Sequence, residues 1–258
     1  MEIPKGWLKD DLEAVLSVLG AQTPLPAREF FESGYVFDKP RLAHFTGYFE
    51  TVISAHFERG QTHQVPLYGP PEFEGPYPTR AEIVENGLQA EILAWLAEPL
   101  DAFLLQVQGS GRLHFPDGQE IGIGYAGPAE QMSLDVIRSY CGENPTEVIA
   151  LLNTNPSYVF FQLRDATTGP IGAMGIPVTP FRSIAVDPDH IPLGTPVWIE
   201  VEIEGTLHQS LMIAQDIGSA IKGPARADIF CGTGESAGEI AGRLNCSGKM
   251  IPLLPATG

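Results

Sequence analysis

The chain has 258 residues, with 15 Lys and Arg against 32 Asp and Glu, and its net charge of −17 leaves no basic surface for a nucleic-acid partner. Its 28 glycines and 23 prolines interrupt the sequence too often for a helix bundle, while 43% hydrophobic and 18% charged residues suffice for a real core. These fractions predict a folded, strand-rich protein of one large domain or two ordinary ones.

No window approaches the roughly 18 consecutive apolar residues of a membrane span, and the opening MEIPKGWLKD lacks the charged-then-apolar layout of a signal peptide. The expectation is a cytoplasmic chain or one whose export signal has been removed. Residues 10–20 place Leu12, Val15, Leu16 and Leu19 on one helical face. HFTGYFE then reads as a strand, followed by a long loop through YGPPEFEGPYP, which is too rich in Pro and Gly for a regular element. Thr79, with Glu82 three positions later, has capping-box spacing, so TRAEIVENGLQAEILAWLAEP predicts a helix or two short ones. AFLLQVQGSGRLHF alternates around a Gly-Ser-Gly break, and PDGQEIGIGYAG adds an Asp-Gly turn, which together predict a hairpin. SLDVIRSYCGENPTEVIALLNTNP reads as two helices parted at Gly142 and Pro145, with Ser133 as the first cap. SYVFFQL, SIAVD, TPVWIEVEI, QSLMIAQD and ADIF are short strands at the spacing of a small barrel, and ESAGEIAGRL is a late helix.

Three aspartates end or interrupt apolar runs in the last third: Asp187, Asp216 and Asp228. Carboxylates are rarely buried without a purpose or partner, so these placements point to a site. Read from the residues alone, Asp187, before Pro188, is first a turn opener, and Asp216 and Asp228 are first members of structural ion pairs, with the catalytic reading second. The small-residue connection IGSAIKGPARA between the latter two lets backbone approach a ligand closely and brings Lys222 and Arg226 near the acids. A carboxyl group shielded by apolar neighbours holds its proton at neutral pH, as a general acid must.

Other chemistries find little support. The six histidines are scattered and none sits in HExxH, so no metal site is expected; GxSxG and a dinucleotide fingerprint are absent, so neither a serine nucleophile nor a cofactor is expected. Cys141, Cys231 and Cys246 form no CxxC pair and read as buried thiols, or as a Cys231–Cys246 disulfide in an oxidising compartment. Tyr48, Trp95, Tyr125, Tyr158, Phe160 and Phe161 offer either core packing or stacking faces for sugar rings, and Gln106, Gln108 and Ser110 offer hydrogen bonds to hydroxyl or acetamido groups.

Taken together, FTGYFE, LQVQGSGRL, NPSYVFF, GAMGIPVTPFRSIAVDPDHIPLG and AQDIGSAIKGPARADIFCGTG resemble the membrane-bound lytic murein transglycosylase A family, in family order from about residue 44 to LLP at 253–255. The resemblance implies a mainly β fold with a few short helices: a double-psi β-barrel catalytic domain from residues 1–50 and 162–258, interrupted by a β-rich domain at residues 51–161. It places a glycan groove between them. Asp187, Asp216 and Asp228 match the acids that name the three-aspartate module, with Asp228 as the essential acid and Asp216 beside it as the second catalytic residue.

The implied reaction is cleavage of the β-1,4 bond between N-acetylmuramic acid and N-acetylglucosamine without water, leaving a 1,6-anhydro end, with one Asp acting as acid and then base. Thr46, Tyr48, Gln106, Gln108, Ser110, Gly111, Tyr125, Asp187 and Lys222 are the implied substrate-binding residues. The implied partner is the glycan strand of peptidoglycan. The implied location is the periplasm or outer membrane of a bacterial envelope, with a monomeric chain and any lipid anchor outside this sequence. Two readings compete: a water-using endo-glycoside hydrolase and a non-catalytic glycan-binding module. The chain departs from the family at Thr51, usually Pro, and at Ile217-Gly218-Ser219, usually Thr-Gly-Gly. After GYAG at 124–127 it also lacks a family segment of roughly 20 residues.

Overall fold

The computed structural model describes residues 25–72, 78–126, 148–203, 205–218 and 220–256. The helix expected at residues 10–20, the helix capped by Ser133, the tip of the proline-rich loop and Cys141 lie outside the described residues. The chain divides into two compact units, one formed by residues 1–49 and 171–258 and the other by residues 50–170.

The first unit is a barrel. Its strands are β1 (Tyr35–Phe37), β2 (Arg41–Glu50), β9 (Ser183–Val186), β10 (Pro196–Ile203), β11 (Thr206–Ile217), β12 (Arg226–Thr233) and β13 (Asn245–Pro255). They follow the order β1-β13-β10-β11-β9-β12-β2, and β13 also pairs with β2, so six of them close into a ring and β1 extends one edge. Closure removes the open sheet edges that would otherwise invite pairing with another chain. β11 and β9 run parallel, whereas β10 pairs antiparallel with both β11 and β13.

The runs TPVWIEVEI and SIAVD are the barrel wall that their β-branched content predicts: Val197, Ile199 and Val201 alternate inward to meet Phe45, Ile184, Val186, Met212, Ala214 and Ile229. Helix α1 (Ala27–Gly34) places Phe31 against Trp198, Leu211 and Leu253 on the outside of the wall, and the late helix forms as α5 (Glu235–Arg243). Gly248 is obligatory in β13. A Cβ there would lie 2.5 Å from the Glu200 carbonyl oxygen.

The second unit carries a six-stranded sheet in the order β4-β5-β3-β6-β7-β8, formed by β3 (Val52–His56), β4 (Val65–Tyr68), β5 (Ile92–Leu96), β6 (Ser110–His114), β7 (Glu120–Tyr125) and β8 (Phe161–Arg164). Its core joins Ile53, Leu67, Leu96, Leu105, Leu113, Phe115, Ile123 and Phe161. β8 pairs with β7, which carries this unit to Pro170, beyond the boundary expected at 161. Mainly β architecture with a few short helices therefore holds for the described residues.

Two local expectations need correction. Helix α2 (Arg80–Asn86) begins with the expected reciprocal capping box between Thr79 and Glu82, but it stops at Gly87, whose φ of +74° is left-handed, and ILAWL forms β5 instead of more helix. The alternating stretch before Gly109 is not the first arm of a hairpin. Pro99–Gln108 is helix α3, with Pro99 opening it and the left-handed Gly109 ending it. Residues 102–107 are all buried, and a helix covered on every side shows no clear period for sequence reading to find. The hairpin itself is β6–β7, turned at Asp117-Gly118. α4 (Val148–Leu152) packs against α3.

Candidate active site

Two neighbouring barrel strands and a bulge bring the expected acids together. Side chains two apart on a strand share a face. Thr46 and Tyr48 on β2 therefore stand beside Arg226 and Asp228 on β12, the paired neighbour. Thr46 Oγ1 donates to Asp228 Oδ1 at 2.5 Å, and Arg226 Nη2 donates to the same Thr46 oxygen at 2.7 Å. Arg226 Nη1 also donates to the carbonyls of Ala227 at 2.8 Å and His44 at 3.4 Å.

Asp216 reaches the same neighbourhood from β11. The β11–β9 register slips between Ala214 and Asp216, so Gln215 is the extra residue of a bulge; it turns inward, fully buried, and accepts a hydrogen bond from Ser183 Oγ. Asp216 then takes three donors: Tyr48 Oη at 3.0 Å on Oδ2, and the Ala173 and Ile217 N–H groups at 3.0 and 2.9 Å on Oδ1. The loop carrying Ala173 can press against the bulge because residue 172 is Gly; a Cβ there would sit 2.6 Å from the Gln215 carbonyl oxygen. Burial holds the Asp216 carboxyl above the usual carboxylate range, against the opposing effect of its three donors. Tyr48 is pushed well above the normal phenol value, first by burial and then by the Asp216 charge, with Asp228 contributing, so it remains a hydrogen-bond donor.

Asp187 does different work. At the end of β9 it accepts from the Gly223 N–H at 2.8 Å and the Asp189 N–H at 3.3 Å, and Lys222 Nζ lies 3.9 Å away on a largely exposed side chain. The bond from Gly223 is the main reason its carboxyl sits below the usual range. The turn-opening reading of Asp187 is the one these contacts favour: it fastens the 218–225 connection that leads into Arg226 and Asp228.

The remaining residues expected at the site belong to the second unit. Gln106 is buried on α3 beside the Tyr158 hydroxyl, and it faces a cavity of about 200 Å³ shared with Arg80 and Tyr158. Gln108 ends α3, Ser110 opens β6, and Tyr125 ends β7 with its ring half exposed. Gly111 is a packing requirement, since a Cβ would meet Leu105 Cδ2 at 2.2 Å. Phe160 and Phe161 are core residues, and Tyr158 lies against Arg80.

Cys231 and Cys246 are free thiols, so the disulfide does not form; burial, with a contribution from Asp228, pushes the Cys231 thiol up to about 12. Among the described residues no cluster of His, Cys, Asp or Glu could hold a metal ion, and no helix is long and apolar enough to cross a membrane. Sequence reasoning missed two donors. Arg226 was placed near the acids without a partner, and the Ala173 N–H carries no side-chain signal at all; only the glycines of GAMG hint at a backbone drawn in close.

Residues 182–254 match the 3D domain family, and residues 44–130 and 127–162 match the MltA specific insert domain. The Escherichia coli K12 protein named membrane-bound lytic murein transglycosylase A is 36% identical over 245 residues, covering 83% of this chain; the chain spans 66% of that relative's length. Among solved structures, the lytic transglycosylase LtgG of Burkholderia pseudomallei is 35% identical with a TM-score of 0.61, over 95% of this chain and 84% of its own. The E. coli MltA structure with bound chitohexaose is 33% identical with a TM-score of 0.72, over 84% of this chain and 72% of its own. A chain that pairs the acid-bearing barrel with that particular insert, at these identities, belongs to the membrane-bound lytic murein transglycosylase A family.

Proposed function

We propose that this chain is a peptidoglycan lytic transglycosylase of the bacterial envelope, cleaving the β-1,4 bond between N-acetylmuramic acid and N-acetylglucosamine without water. Family membership supports the reaction class, and the chitohexaose bound to the E. coli relative supports a β-1,4-linked amino-sugar strand as the ligand. The relatives' names, which call them membrane-bound, support the envelope location.

In this reading Asp228 is the catalytic acid. It protonates the glycosidic oxygen as the C1–O4 bond breaks through an oxocarbenium-like state; as a carboxylate it then removes the proton of the muramyl C6 hydroxyl, whose oxygen bonds to C1. One group completes the proton cycle and needs no cofactor. Thr46, Tyr48 and Lys222 are the proposed glycan contacts within the first unit; within the second unit, taken by itself, they are Gln108, Ser110 and Tyr125.

The observation that carries this reading over a hydrolase is the state of Asp216. Hydrolysis by inversion needs a second carboxylate with acceptor sites open to water, and Tyr48, Ala173 and Ile217 already take three of the roughly four that Asp216 offers. It suits a fixed negative or hydrogen-bonded post beside Asp228 better than a base. The test is incubation of the protein and its Asp228→Asn variant with purified sacculi, followed by mass spectrometry of the released muropeptides. Anhydro ends from the parent and a loss of at least about a hundredfold in the variant are expected. Hydrated reducing ends from the parent would establish the hydrolase instead, and binding without release would establish a glycan-binding module.

A further inference from the structure

The structure assigns Arg226 as a positioning residue that acts on Asp228 through the Thr46 hydroxyl. A guanidinium carries donors only, so at the 2.7 Å contact Thr46 Oγ1 must accept. A threonine hydroxyl has a single proton, and with Arg226 occupying one side of the oxygen that proton is directed along the 2.5 Å contact to Asp228 Oδ1. Without Arg226 the hydroxyl could rotate and accept from a protonated Asp228. With it, one of the two lone pairs is taken and the guanidinium charge opposes approach of a second donor, which favours donation from Thr46 to Asp228.

Two consequences follow for the acid. Oδ1 is biased toward the acceptor role, which favours Oδ2 as the seat of the labile proton. The Thr46 bond also becomes charge-assisted when Asp228 ionises, so it strengthens as the proton leaves for the glycosidic oxygen. Among the described residues, Tyr48 on β2, Asp216 on β11 and Cys231 on β12 are ionisable groups of this neighbourhood; Ala185 on β9, opposite Asp228, is uncharged. None of these groups donates to Thr46. Arg226 is also anchored by the His44 and Ala227 carbonyls, which fixes its fork and makes a purely structural role the competing explanation.

This inference rests on the proposed role of Asp228, and its test separates the two. The Asp228 carboxyl would be followed by NMR in chains with carbon-13-labelled aspartate, assigned with Asp228→Asn, in the parent and in Arg226→Met, Thr46→Val and the double variant. Loss of Arg226 is expected to move the Asp228 titration upward by about half a unit to one unit. Thr46→Val should do the same, and most of the Arg226→Met shift should vanish in the Thr46→Val background, because the effect passes through the hydroxyl. In sacculus digestion, Arg226→Met should lower the maximal rate roughly tenfold and carry the high-pH limb upward with the NMR value, with Arg226→Lys restoring most of both. Thr46→Ser, which keeps the hydroxyl, should leave the titration in place even if Arg226→Met folds poorly. Equal shifts in both Thr46 backgrounds, or a rate loss that follows the melting temperature with no titration change, would overturn the inference. A parent that releases no anhydro ends would sink the proposed reaction while leaving the NMR comparison able to decide the relay.

Discussion

Asp216 accepts three hydrogen bonds and is nevertheless harder to ionise than a solvated aspartate, because desolvation outweighs its donors. A carboxyl whose folded-state value is raised stabilises the native state below its unfolded value, and that contribution is lost as pH rises through the folded value. At neutral pH Asp216 therefore costs stability. Asp216→Asn should melt higher than the parent near pH 7, with the difference fading as pH falls toward the ordinary aspartate value of 3.8, as followed by circular dichroism. Asp187 has the opposite sign. Its depressed value means that its contribution is present above the ordinary carboxylate range and is lost as pH falls through the folded value, so Asp187→Asn should remove part of the acid sensitivity of the melting curve. Thr46, Tyr48, Asp216 and Asp228 were legible in the sequence because motif positions name side chains. Arg226 as a partner of Thr46 was not, since the contact spans 180 positions and nothing in the local pattern links them.

At the scale of elements, sequence reading succeeded where one physical signal was sufficient. Thr79 and Glu82 set the start of α2 by reciprocal capping, and Thr79→Ala should lower stability by about 1 kcal/mol in a denaturant titration of the whole chain. The strands β9 to β12 were legible from β-branched runs between turns. Reading failed where tertiary context decided: ILAWL is a good helix-forming run by composition, yet it is β5 because β3 and β4 flank it as partners. The same dependence on neighbours governs close crossings. Gly248→Ala would press a methyl group against the Glu200 carbonyl and the Phe45 ring, neither of which can swing away within a closed wall, and should cost about 1–3 kcal/mol. Gly172→Ala would push the 171–176 loop off the bulge and withdraw the Ala173 N–H from Asp216. Its measurable result should be a loss of activity of about tenfold or more with only a modest change in melting temperature.

For the whole molecule, composition gave the class, and the motifs gave the interruption of one unit by another; the closed ring was implied by resemblance, since no single strand records that β13 will return to β2. The net charge of −17 makes self-repulsion a global term, so the melting temperature should rise as salt is raised from about 10 to 150 mM, over which the screening length falls from roughly 30 to 8 Å. The interruption also bears on how the chain matures. Thr46 and Asp228 are 182 positions apart, and β2 must find β12 and β13, which are made after every described strand of the insert. During synthesis the insert has every described strand of its own sheet available by residue 164, whereas β2 waits as an unpartnered edge until β12 and β13 emerge. Birth order and ring closure thus run in opposite directions: β2 is made before the insert and partnered only after it, which makes this early strand the segment with most to gain from a chaperone's cover.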